Sequence, residues 1–319
     1  MNQRTGARAA ALGLALGLTL ACPRLARAAP VVAAVQSNGL QTYRQLLTGF
    51  AAESPELTLM RFDLGGSGAR AEAVLAQVKA RSPAVILALG PLAANAVRRA
   101  IHDVPVIFVM VPSYEKYGLD APNVTGIALT RPLDDQLGAI RAVLPAAKSV
   151  GVLYTPAFNA SVIKEATAVA AKLGLTLKAQ PLDGASAAAK LAPALARSVD
   201  AVWLLADRGT ATVSATAALV KACRAAKVPL FALTEGQVRE GALLAFTADP
   251  VAIGSQAAKL TARLVNEHVD PGALAVMPPQ GESAWVNLGT SRALGIANPF
   301  SARLLEYAGQ QGLAVRAVP

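Results

Sequence analysis

The stretch from Val104 to Val111 (Val-Pro-Val-Ile-Phe-Val-Met-Val) is apolar almost throughout, with β-branched and aromatic side chains and no gaps at helical spacing. A strand buried on both faces of a parallel sheet reads this way. It closes a run of alternating strands and helices, and after Pro122-Asn-Val-Thr-Gly126 the alternation starts again in the same order. The first round predicts strands at 31–36, 57–62, 84–89 and 105–111, with helices at 41–53, 69–81 and 92–101. The second predicts a helix from Pro132, then strands at 149–155, 175–180, 200–206 and 229–233, separated by helices at 160–173, 185–197 and 211–227. The halves match in pattern: Pro83-Ala-Val-Ile-Leu-Ala-Leu-Gly90 with Asp200-Ala-Val-Trp-Leu-Leu-Ala-Asp207, and Val104-Pro-Val-Ile-Phe with Val228-Pro-Leu-Phe-Ala. Each half is therefore expected to form an open parallel sheet with helices on both faces. The fold class is α/β: two Rossmann-like lobes, joined by crossovers, with a cleft between them. The tail adds a strand at 242–247, a helix at 251–268, a Pro/Gly-rich linker, a strand at 284–288 and a helical stretch at 301–311.

The first residues do not belong to this alternation. Arg4 and Arg8 precede an unbroken run of apolar and small residues from Ala9 to Ala21, and Ala26-Arg-Ala28 puts small residues where signal peptidase reads them. That is the pattern of a secretory signal peptide covering residues 1–28, with Ala29 as the first residue after cleavage. Cys22, after Leu18-Thr-Leu-Ala21, forms a weaker alternative as a lipid-anchoring site. Cleavage removes four arginines and no acids, so the formal charge falls from +10 to +6. The remaining bases are scattered, without the runs or aromatic interleaving that nucleic-acid binding needs. Hydrophobic residues make up 54% of the chain and charged residues 16%, enough apolar material for two cores without a disulfide framework.

Catalytic chemistry is poorly provided for. Gly66-Ser-Gly68-Ala-Arg-Ala71 matches a dinucleotide fingerprint in letters. It follows the second strand, and no acid ends the next one, so it reads as a turn into a helix. His102 and His268 each stand near a predicted helix end, where a cation is favoured, and neither has a metal-ligand partner at suitable spacing. No G-x-S-x-G elbow is present. No catalytic residue, no metal and no cofactor is expected. The loops after the strands remain, because ligands of open α/β sheets sit outside the carboxyl ends of the strands. They supply Ser37 and Asn38, Gly90, Pro91 and Leu92, Pro112, Ser113 and Tyr114, Pro156, Phe158 and Asn159, Asp207 and Arg208, and Thr234 and Glu235 as candidate ligand-binding residues. Asp207 and Glu235 follow adjacent strands and are expected at one wet rim, facing a cationic or hydrogen-donating group.

Val104-Pro-Val-Ile-Phe, Asn123-Val-Thr-Gly126, Gln136-Leu, Leu144-Pro and Val150-Gly-Val-Leu-Tyr154 together resemble the ABC transporter substrate-binding protein family that includes tryptophan- and other aromatic-amino-acid-binding lipoproteins. Val228-Pro-Leu-Phe-Ala, Gly241-Ala-Leu, Gly254-Ser-Gln-Ala-Ala and Val286-Asn-Leu extend the resemblance over nearly all of the chain after the leader. It implies a type 1 periplasmic-binding-protein fold with three hinge crossovers, lobe 1 being 29–125 with 248–283 and lobe 2 being 126–247 with 284–319. It also implies an exported, non-enzymatic monomer that carries a small polar, amino-acid-like ligand to an inner-membrane ABC permease. The same fold in a sensor subunit, presenting its ligand to a membrane receptor or kinase, is the alternative. Departures fall in the cleft. Where the family has Thr-Asp-Pro this chain has Val111-Pro-Ser113-Tyr114, and where it has Thr-Asp-Asn this chain has Ala206-Asp207-Arg208. Asp207 carries over directly and Glu235 only as a similar acid.

Overall fold

The computed structural model describes residues 29–129, 131–184, 186–207, 209–210 and 212–318. The expected signal peptide and Arg208 lie outside these residues.

The first round of the alternation folds into one sheet. Its elements are β1 (Val31–Gln36), α1 (Gln41–Glu53), β2 (Thr58–Asp63), α2 (Ala71–Lys79), β3 (Val85–Leu89), α3 (Pro91–Ala100), β4 (Val106–Val109) and β5 (Val124–Gly126). The strands are parallel, in the order β2-β1-β3-β4-β5. The continuous apolar runs occupy its centre, where β3 and β4 are buried along their whole length. One face packs on Tyr43, Leu46 and Phe50 of α1, the other on Val74, Val78 and Val97 of α2 and α3. The glycines before α2 form a turn with left-handed backbone at Gly65 and Gly66, then a short 3-10 turn, as the sequence reading has it.

Two features at the end of β4 differ from expectation. The strand stops at Val109 instead of Val111, because Met110 and Ser113 take left-handed backbone angles (φ 58° and 48°) that no strand continues through. The Asn-Val-Thr-Gly segment, which the sequence reading assigns to no element, is an edge strand. Asn123 Nδ2 donates to Ile101 O (3.2 Å) and Val104 O (2.9 Å), and a Cβ on Gly126 would stand 2.5 Å from Phe108 O.

The second round gives α4 (Leu133–Val143), β6 (Ser149–Tyr154), α5 (Pro156–Lys172), β7 (Thr176–Pro181), α6 (Ala187–Arg197), β8 (Ala201–Trp203), α7 (Val213–Ala226), β9 (Leu230–Ala232), α8 (Glu235–Arg239) and β10 (Leu244–Ala248). The chain then leaves as α9 (Pro250–Asn266), which packs on α1 of the first sheet. It returns as β11 (Glu282–Asn287), α10 (Leu288–Ala293), α11 (Ala297–Gln311) and β12 (Ala314–Val318). The resulting seven-stranded sheet has the order β12-β11-β10-β9-β8-β6-β7. Its pairs are parallel except β10 with β11, since β11 re-enters from the first lobe and runs back along β10. The sequence reading lacks β5, α8, α10 and β12, which are short.

The chain passes between the sheets three times, after β5, after β10 and after α9. The first and third passages run side by side: Ala128 N–H donates to Met277 O (2.8 Å) and Met277 N–H to Gly126 O (3.0 Å). Each half thus buries its own core, and the covalent links between them are thin backbone crossings, the arrangement in which hinge motion is expected.

Candidate ligand cleft between the lobes

Two adjoining cavities lie where the sheets face each other. The outer one, about 500 Å³, is bounded by Ser113, Tyr114 and Lys116 from the first lobe and by Asn159, Ser161 and Glu165 of α5 from the second. The inner one, about 340 Å³, is lined by Trp203, Phe231, Phe246, Met110 and Ile253, with Thr234 at its side. Leu129, Arg131, Gln136, Ala206 and Leu233 line both. The outer cavity mixes polar and apolar surface, and the inner one is largely apolar and aromatic.

Of the residues expected from the sequence, Pro112, Ser113, Tyr114 and Asn159 meet at the outer cavity and Thr234 at the inner one. The left-handed turn at Ser113 follows from the early end of β4, and Tyr114 stacks on Phe108 with ring centroids 5.0 Å apart. Thr234 caps α8: its hydroxyl accepts from Gln237 N–H, and the Gln237 side chain accepts from Leu233 and Thr234 N–H. This capping box is readable in the sequence as Thr-x-x-Gln.

Ser37, Asn38, Gly90, Pro91 and Leu92 stand outside both linings. The Ser37 hydroxyl donates to Leu89 O (2.9 Å) and accepts from Ala93 N–H (3.0 Å), so it caps α3 within the lobe. Gly90 (φ 84°) leaves room for the Tyr43 hydroxyl, which a Cβ would meet at 2.0 Å. Asn38 Oδ1 is buried and has no hydrogen-bond partner among the described residues. Leu92 borders a surface groove between α2 and α3.

Pro156, Phe158 and Asn159 form the first turn of α5, which starts four residues earlier than the sequence reading places it, with Pro at the first helical position. From the other lobe, Lys116 Nζ donates to the Phe158 carbonyl and to Asn159 Oδ1 (3.2 Å). This contact bridges the cleft mouth. Lys116→Ala is expected to cost the closed arrangement about 1 kcal/mol, a shift of roughly fivefold in the open-to-closed ratio. Distances between spin labels placed on the two lobes read that shift directly.

The acidic pair departs from expectation. Asp207 is buried, and both its oxygens are occupied inside its own lobe. They accept from Thr155 N–H (2.8 Å), Thr155 Oγ1 (2.7 Å), Asn159 Nδ2 (2.6 Å) and Gly209 N–H (2.7 Å). Burial acts to raise its pKa, but these donors outweigh it and hold the carboxyl below the ordinary range. Glu235 sits in the first turn of α8 and is paired with Arg239, whose Nε donates to it at 2.8 Å. Neither lines either cavity: Asp207 is satisfied by hydrogen bonds within its own lobe and Glu235 is paired with Arg239, so they do not share one rim. Asp207 instead fixes Asn159, which in turn meets Lys116.

The sequence reading does not include Arg131, Gln136, Phe246 or Glu282 among its candidate site residues. Gln136 Nε2 donates to Arg131 O (2.6 Å), and its Oε1 accepts from the Trp203 indole (3.1 Å). Arg131 is buried between the rings of Phe246 (5.1 Å to the centroid) and Tyr307 (6.0 Å), with Glu282 Oε2 at 3.3 Å and Asp135 Oδ2 at 3.7 Å. Burial raises the Glu282 pKa, Arg131 lowers it, and Asp135 adds to the rise, for a net upward shift. A lone Arg before a helix-opening Pro is the only sequence signal for this group. Among the described residues no group of three or more His, Cys, Asp or Glu could hold a metal ion, and no helix is long and apolar enough to cross a membrane.

Two mainly parallel sheets, three crossings and a cleft between them define a type 1 periplasmic-binding-protein fold. The chain belongs to the ABC transporter substrate-binding protein family, whose sequence model matches residues 58–311. Among solved structures it is similar to an ABC domain from Streptococcus pneumonia in complex with L-Trp. That pair shares 22% identity over 89% of this chain and 100% of the other, with a TM-score of 0.63. It is also similar to the ligand-free, open form of a substrate-binding protein with adhesive properties from Clostridium difficile, at 17% identity over 91% and 100% of the two chains and a TM-score of 0.74. A 5-methylthioribose transporter solute-binding protein from Thermotoga lettingae shares the fold at 14% identity over 88% and 99%, with a TM-score of 0.52. No curated protein matches the sequence.

Proposed function

We propose that this protein is an exported, non-enzymatic solute-binding component of an ABC importer. Its ligand is a small polar, amino-acid-like molecule held in the cleft, and its partner is an inner-membrane permease. It works as a monomer outside the cytoplasm, after loss of residues 1–28, and its lobes follow the boundaries 29–125 with 248–283 and 126–247 with 284–319. The observation that carries this reading is the pair of adjoining cavities lined from both lobes, since a ligand touching both stabilises closure by its differential affinity. Family membership supports the substrate-binding role, and the L-Trp complex of the Streptococcus pneumonia domain supports a ligand of amino-acid size. Pro112, Ser113, Tyr114, Asn159 and Thr234 are the contacts this reading retains from the sequence.

Mass spectrometry of small molecules released from the purified protein on denaturation tests it. A single copurifying compound is expected, and adding it back should reduce the radius of gyration in small-angle scattering. Binding without any compaction at saturation overturns the hinge-closing reading.

A further inference from the structure

Among the described residues the inner cavity has two charged side chains in its lining, Arg131 and Glu282, in an otherwise largely apolar and aromatic surround. The Arg131 side chain is 7% exposed. Its Nη2 donates to the Tyr307 hydroxyl and to Gln311 Oε1, both at 3.3 Å, while Nε and Nη1 are buried and have no hydrogen-bond acceptor among the described residues. Nη1 lies 3.3 Å from Glu282 Oε2 without the alignment of a hydrogen bond. Unmet donors on a buried cation are costly, and an acceptor supplied from the cavity removes that cost.

We propose that Arg131 is the anchor for a carboxylate on the ligand, whose compact apolar body occupies the inner chamber against Trp203, Phe231 and Phe246. This rests on the solute-binding reading above and assigns the chemistry of the same site. A guanidinium offers planar, multiple donors matched to a carboxylate. Phe246 lies 5.1 Å from it, ring centroid to guanidinium, and contacts it without using its hydrogen-bonding capacity. The acids of the outer cavity, Glu115, Asp134 and Glu165, leave a place for a donor on the same ligand toward the mouth. The competing role for Arg131 is a purely structural tie between the first and third crossovers through Glu282, in which ligand charge is irrelevant.

Calorimetry on the mature protein with matched probes separates the two. The probes are 3-phenylpropionate with 3-phenylpropanamide, and L-leucine with L-leucinamide. At least one acid is expected to bind tenfold or more tightly than its amide. Arg131→Gln should abolish that preference and Arg131→Lys should restore part of it. Glu282→Gln removes the competing carboxylate and should leave acid affinity at or above the wild-type value. It also keeps the test decisive if Arg131→Gln does not fold. Equal binding of acids and amides, an acid preference that survives Arg131→Gln, or a loss of acid binding in Glu282→Gln overturns the proposal. So does a failure of both acids to bind wild type. A copurified neutral compound would then leave the solute-binding reading standing without the Arg131 anchor.

Discussion

Asp207→Ala is expected to destabilise the protein by about 3 kcal/mol or more, measured by urea denaturation. The carboxylate accepts four hydrogen bonds, two of them from the backbone N–H groups of Thr155 and Gly209. Charge-assisted bonds of this kind contribute about 1.5–3 kcal/mol each, and a buried donor left unmet adds its desolvation cost. Asp207→Asn should cost less, about 2 kcal/mol, because one oxygen still accepts while the new amide faces two donors. The folded pKa lies below the unfolded one, so the contribution is fully present above the unfolded value of about 3.9 and is lost as pH falls through the folded pKa. The gap between wild type and Asp207→Ala should therefore close only in strong acid. Cys223 provides a local readout, since it is buried in the same lobe with its thiol pKa pushed up to about 12. Its reaction with a thiol reagent should speed up in the variant. A cost under about 1 kcal/mol would mean that Asp207 faces the cleft after all.

What was legible in the sequence follows a physical line. Long apolar runs such as Val85–Leu89 can only be central strands, and the repeat of their order declares two sheets. The strand-end rule finds Ser113, Tyr114 and Asn159 because it depends only on local order along the chain. It also collects Ser37 and Gly90, whose polar groups or space are consumed inside the lobe, a matter of partners that local order does not carry. Arg131, Phe246 and Glu282 come from segments far apart in the chain and meet only because three crossings converge. The motif residues behave differently. Asn123 and Gly126 shape the end of the first sheet, and Gln136 orients Arg131 and Trp203, so the resemblance is carried by scaffold as much as by ligand contacts.

Gly254 is the position where that scaffold leaves least room. Helix α9 crosses α1 so closely that a Cβ on Gly254 would lie 1.9 Å from Leu46 O and 2.8 Å from Phe50 N. One on Gly49 would lie 2.1 Å from Val251 O. The obstacles are backbone atoms, which cannot rotate away, so the helices must separate. Separation opens the packing of Leu46, Leu47 and Phe50 against Ile253, Ala257 and Leu260, a core in which these side chains are at most 2% exposed. Gly→Ala inside a helix ordinarily gains about 0.5–1 kcal/mol from propensity. Here overpacking dominates, and Gly254→Ala is expected to cost about 2–3 kcal/mol net, with Gly254→Val costing more. Gly138 in α4 supplies the opposite sign, because nothing lies within 4 Å of its Cβ direction. Gly138→Ala should stabilise by about 0.5 kcal/mol or more. Since α9 follows the second crossover yet packs on the first lobe, the close approach also fixes where the hinge can bend. Denaturant midpoints of the three variants test the argument together. A Gly254→Ala protein as stable as Gly138→Ala would show that α1 and α9 are not pressed backbone to backbone, and the hinge would lose its fixed base.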